Sequence, residues 1–150
     1  MQKLKYVDDA TFEKNKKFLM RYIFYKRKID KLENRLLELD QLKSQIQSPV
    51  ISDMPKGSLD GNMKIDDILF EADETKARIN ELNMTAFQLR EDILRVIDTI
   101  DDAEAVEVCE CHFIRDMSLP DIGKRMFASV SKVKKLNSYG IKYIKLPVEI

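Results

Sequence analysis

Between Phe12 and Ile46, Tyr22, Tyr25, Ile29, Leu32, Leu36, Leu39, Lys43 and Ile46 follow one another in alternating steps of three and four, and Lys43 alone interrupts their apolar character. A repeat averaging about 3.5 positions keeps these side chains on one stripe of an α-helix facing a partner helix. The stretch holds no Gly or Pro and is rich in Lys, Arg, Glu and Leu, so intrinsic propensity agrees with the period. A second seam runs through Ile65, Ile68, Ala72, Thr75, Ile79, Leu82, Ala86, Leu89, Ile93, Val96 and Ile100. Two helices, each roughly 50 Å long at about 1.5 Å per residue, are predicted.

Residues 48–64, SPVISDMPKGSLDGNMK, separate the seams, and their Pro49, Pro55, Gly57 and Gly61 deny the backbone a continuous helix. A connection of this length lets the second helix return along the first. Charge agrees with that pairing: residues 12–46 carry 10 basic and 5 acidic groups, and residues 65–100 carry 4 and 9. The first hundred residues therefore predict an antiparallel coiled-coil hairpin, with Tyr22, Ile29, Leu36, Ile79, Leu89 and Ile93 among its contacts. A flanking apolar set, Phe12, Leu19, Ile23 and Leu37 on one helix with Leu69, Phe87, Leu94 and Ile97 on the other, is wider than a two-stranded contact requires. It predicts that two hairpins pair into a four-helix bundle, a homodimer.

From residue 101 to 150 the pattern changes to short helices. Asp101 and Asp102 offer an N-cap to AEAVEVCECHFI, with Val106, Cys109, Phe113 and Ile114 inward. Ser118-Leu119-Pro120-Asp121 then opens a further helix, with Pro in the first turn, where its missing N–H costs nothing. Leu119, Ile122 and Met126 would face inward, and Gly123 would admit a close neighbour. A turn at Phe127-Ala128 leads to Ser129 as the cap of a last helix from Val130 to about Ile144, buried through Val133, Leu136, Gly140 and Ile144. The fold class expected is all-α, a helical hairpin followed by a three-helix helix-turn-helix head.

The face opposite Val133 and Leu136 presents Ser131, Lys132, Lys134, Lys135 and Ser138. Ser129 opens the helix, and Lys124 and Arg125 precede the turn. Ammonium groups and short hydroxyls in this pattern suit phosphate contacts and limited base reading, so double-stranded DNA is the expected ligand. The net charge of zero sharpens this expectation: residues 118–150 carry 7 basic and 2 acidic groups, while residues 48–117 carry 7 and 17. The basic excess is local. Aromatic and basic residues also interleave around Arg21, Tyr22, Phe24 and Lys26, a weaker nucleic-acid candidate because Tyr22 and Tyr25 belong to the seam.

Composition removes several classes. No apolar run approaches the ~20 residues of a membrane span and the N-terminus has no signal-peptide character, so a cytoplasmic protein is expected. Cys109, Cys111 and His112 resemble a metal site, but a second ligand pair is missing and two cysteines two apart on a helix face different ways. No metal or cofactor is expected. A single His, scattered carboxylates and no Gly-rich phosphate loop speak against catalysis.

Residues 112–144, HFIRDMSLPDIGKRMFASVSKVKKLNSYGIKYI, resemble the region-4 helix-turn-helix of sigma factors, in the variant of phage and integrative-element regulators of the ArpU and RinA type. Phe113-Ile114, Met117-Ser118, Asp121-Ile122-Gly123 and Ser129 occupy the family's places without a gap. The SPVISDMPKG connection is similar to that family's Ser-Pro and Met-Pro-x-Gly loop, which extends the likeness over nearly the whole chain. The resemblance implies a transcriptional regulator of a phage or mobile element, with RNA polymerase a possible partner. Asp116 and Phe127 depart from it by standing where Gly is common, and residues 129–144 contain no Arg, the side chain that reads guanine best. The competing expectation is an interaction protein that inhibits RNA polymerase or another host nucleic-acid enzyme without sequence-specific DNA binding.

Overall fold

The computed structural model describes residues 7–47 and 64–147. Among these residues the chain is all-α: α1 (Asp9–Gln47), α2 (Ile65–Ile97), α3 (Ala103–Phe113), α4 (Leu119–Met126) and α5 (Val130–Tyr143). Apart from Lys64, the expected connection with Pro49, Pro55, Gly57 and Gly61 lies outside the described residues.

Capping explains where these helices begin. Asp8 Oδ1 accepts the Thr11 N–H at 2.8 Å, which satisfies an open donor of the first turn of α1, and hydrogen bonds from the Thr11 side chain and then its backbone hold the Asp8 carboxyl below its ordinary pKa. Asp102 caps α3, its Oδ1 accepting the Ala105 N–H at 2.9 Å. α2 stops at Ile97, three residues short of the end of its seam. The N–H groups of Thr99 and Ile100 turn back to the carbonyls of Val96 and Ile97, so Ile100 remains buried although it has left the helix.

Contacts divide the chain into two compact units: unit 1 runs up to Tyr25 and resumes at Ala86, and unit 2 is Lys26–Thr85. The division cuts α1 and α2 instead of falling at residue 100, where long helices give way to short ones.

In unit 1, Leu19, Ile93 and Ile97 share a core with Ala105, Cys109, Phe113 and Ile141, and Phe12, Tyr22 and Leu89 pack against it half-buried. A smaller core joins Val108 and Cys111 to Ile122 and Val133. α3 lies between the two and is buried on more sides than its sequence pattern suggests, with Ala105, Val108 and Cys111 added to the expected Cys109 and Phe113. Val106 and Ile114, also expected inward, are half-buried. Gly140 allows α5 to approach α3: a β-carbon there would overlap Cys109 Sγ and stand 3.2 Å from Ile100 Cδ1. Polar groups inside are satisfied across helices. Buried Asn15 donates through Nδ2 to the Ile141 carbonyl at 2.8 Å, and His112 Nδ1 lies 3.0 Å from Oδ1 of buried Asn137.

In unit 2, Ile29, Leu39, Ile68, Ile79 and Leu82 are buried along the seam, and Leu36 is half-buried. Arg35 forms a two-pronged bond across it, Nε to Glu71 Oε1 at 2.7 Å and Nη2 to Oε2 at 3.0 Å, and also reaches Glu38 within α1. This contact raises the Arg35 pKa and lowers that of Glu71. Of the flanking apolar set, Leu19, Ile23 and Ile97 are buried in unit 1, whereas Leu37 and Leu69 in unit 2 and Phe87 in unit 1 are exposed.

Candidate functional site

The site is built on α4, the turn and α5. Ser118 Oγ accepts Asp121 N at 3.2 Å to start α4, and Ser129 Oγ accepts Lys132 N at 3.1 Å to start α5. Ser129 is thereby engaged in capping. Between them Phe127 takes the left-handed conformation, φ 55° and ψ 43°, and Ala128 N donates to the Gly123 carbonyl at 2.9 Å, the closure that usually employs glycine. Gly123 serves this turn: a β-carbon there would lie 2.8 Å from the Ala128 oxygen. Asp116, after α3, is also left-handed, with φ 54°. Asp116 and Phe127 therefore both adopt the backbone that favours Gly. The Phe127 side chain is 98% exposed, so no packing offsets its strain.

α5 buries Val133, Asn137, Gly140 and Ile141, with Leu136 half-buried beside them. On the opposite face Ser131, Lys135, Ser138 and Lys142 follow at steps of four, three and four, forming one outward stripe. Lys134 stands on one flank of it and Lys132 on the other. Lys134, Lys135, Ser138 and Lys142 line a shallow groove with Tyr139 and Tyr143. The Tyr139 hydroxyl donates to Asp101 Oδ1 at 2.6 Å, which pushes its pKa up to about 12, and its ring meets Tyr143 at 4.7 Å between centroids. This arrangement fixes one wall of the groove. α5 contains no acidic residue from Val130 to Tyr143, so the stripe can gather an anionic backbone without internal repulsion.

The structure treats the expected site residues unequally. Lys124, Ser131, Lys134 and Lys135 are exposed and Ser138 is half-buried beside them. Arg125 Nε instead lies 3.6 Å from Glu107 Oε1, and Lys132 Nζ lies 3.1 Å from Glu104 Oε2, so α3 engages both cations. Lys142, Tyr139 and Tyr143 are additions. Lys142 could have been found by its place seven residues after Lys135, two turns along the same face. Glu104 and Glu107 have only their spacing of three as a signal, which does not reveal the helix they meet.

Cys109 and Cys111 sit in different cores, and desolvation raises both thiols, Cys109 to about 12. Among the described residues no three His, Cys, Asp or Glu side chains gather as metal ligands, and no helix is long and apolar enough to cross a membrane. Comparison with protein-family models, with characterised proteins and with solved structures finds no match to this chain.

Proposed function

We propose that this chain is a DNA-binding transcriptional regulator of a phage or mobile element, acting in the cytoplasm through α4, the Phe127–Ala128 turn and α5 as a sigma region-4-like helix-turn-helix. In this reading the long helices form an antiparallel hairpin, and α5 lies in the major groove with Lys134, Lys135 and Lys142 on phosphates. The observation that carries it is the acid-free outward stripe Ser131, Lys135, Ser138 and Lys142, flanked by Lys134. Replacing Lys134, Lys135 and Lys142 by Ala should weaken binding to duplex DNA and flatten the log–log salt slope by about 2.7, roughly 0.9 per phosphate contact. An unchanged anisotropy titration would defeat the reading.

The reading includes a homodimer joined through unit 2, where Leu37 and Leu69 flank a groove whose rim carries both signs, Asp40 and Asp73 with Lys43 and Lys76. Leu37→Glu with Leu69→Glu should convert the dimer to monomer in sedimentation. A wild-type chain that sediments only as a monomer would remove this part.

A second reading, a protein that occupies RNA polymerase or another nucleic-acid enzyme, is favoured by one observation. Phe127 offers a bare phenyl ring on a strained turn, the kind of anchor a partner pocket accepts. No DNA retention at low salt, with purified polymerase bound by the wild type and released by Phe127→Ala, would decide for it.

A further inference from the structure

Two of the cations nearest the turn are already in use, and the same helix uses both. Glu104 and Glu107 stand one turn apart on α3, and each reaches a different element: Glu104 holds Lys132 in the first turn of α5, and Glu107 holds Arg125 in the last turn of α4. Cys111 Sγ also lies 3.8 Å from Glu107 Oε1, close to the buried core. The four ion-paired side chains are about half exposed, so water and ions reach them and a nucleic-acid phosphate can compete for the same cations. Lys134, Lys135 and Lys142 differ, because among the described residues no carboxylate pairs with them.

We infer that Glu104 and Glu107 are positioning residues that tie Lys132 and Arg125 across the turn and withhold them from a nucleic-acid phosphate backbone, leaving its contacts to Lys134, Lys135 and Lys142. The inference rests on the DNA reading above. It divides the basic surface into a restrained part beside α3 and an available part along the outward face of α5. Binding in the wild type then draws on the available part, and the carboxylates set how much of the rest is released.

The test uses the full chain and a fluorescent random-sequence duplex, with thermal melting to show that each variant is folded. Glu104→Gln with Glu107→Gln should tighten binding about fivefold, the weight of two exposed ion pairs. The salt slope should steepen by about 1.8 as two further cations meet phosphate. Arg125→Ala with Lys132→Ala should change wild-type affinity by less than about twofold, because exposed pairs of this kind contribute little. The decisive arm combines the four substitutions: without Arg125 and Lys132, removing the two carboxylates should no longer tighten binding. Equal tightening in that background would show that the acids act only through their general field and would overturn the inference. If the Gln pair leaves affinity unchanged while Lys134→Ala, Lys135→Ala and Lys142→Ala together weaken it, the inference fails and the DNA reading stands. If none of these variants alters binding, both fall.

Discussion

The two units handle the same excess of apolar residues in opposite ways. In unit 1 the flanking residues Leu19 and Ile97 are wholly buried, because Ala105 and Cys109 of α3 and Ile141 of α5 join them in one core. In unit 2 the equivalent positions, Leu37 at 62% and Leu69 at 41% exposure, remain open beside a groove. A two-stranded seam needs one stripe, and any apolar width beyond it must find another cover. The C-terminal helices provide that cover in unit 1 for Leu19 and Ile97, though Phe87 stays exposed there. The sequence set that predicts a second copy along both helices is thus half-consumed within the chain.

The largest test of this contrast is a matched pair of truncations. Leu19→Ala should cost about 3 kcal/mol, through lost transfer energy and the cavity left behind. Leu37→Ala should change monomer stability by less than about 0.5 kcal/mol, as surface substitutions do. Urea melts at low protein concentration separate the two, and equal costs would erase the distinction.

Next in size is the contact that seats α5 on α3. Gly140→Ala should destabilise by about 2 kcal/mol, since the added carbon overlaps Cys109 Sγ in a packed interior. Adding Cys109→Ala should recover at least half of that loss. Failure of the recovery in a denaturant titration would place the crowding elsewhere.

A smaller effect, of opposite sign, is expected at the turn. Phe127→Gly should stabilise by about 1 kcal/mol by releasing the left-handed strain, partly offset by the entropy of glycine. Asp116→Gly should gain less, because Asp tolerates this backbone better than Phe. Thermal melting that shows a loss for Phe127→Gly would mean that the ring has a contact worth more than its strain.

The smallest concerns unit 2. Arg35→Ala should cost at most about 1 kcal/mol, because a third or more of each side chain in the Arg35–Glu71 bridge is open to screening water. The Glu71 pKa is held below its ordinary 4.5 mainly by the hydrogen bond from Arg35. Its contribution is therefore fully present above that value and lost as pH falls through the lowered folded value. Stability curves from pH 7 down to pH 2 should show this acid-dependent component in the wild type and its absence in Arg35→Ala.

Much of this arrangement was legible beforehand because it is local. The Ser118 and Ser129 caps, the Asp102 cap, the Pro120 position and the Phe127 turn all depend on neighbours within a few residues, and the structure has each of them. The buried stripe of α5 was legible for Val133 and Gly140, and Ile144 is buried just past the helix end, yet Asn137 and Ile141 were missed. Asn137 faces His112, whose Nδ1 meets its side-chain oxygen, and Ile141 packs into the core with Leu19, Ile93 and Phe113. The site was legible as a basic face. Its division was not, since Lys132 and Arg125 resemble Lys134 and Lys135 until Glu104 and Glu107 are placed beside them.

Period, propensity and capping acting along the chain determine that this protein is helical and where most of its helices begin and end. They also determine that its last helix carries lysines on one side. The tertiary structure decides which apolar residues are covered, which cations are held and where glycine is required. Those outcomes depend on distances between groups far apart in sequence, and no periodicity along a single helix encodes what the neighbouring helix presents to it.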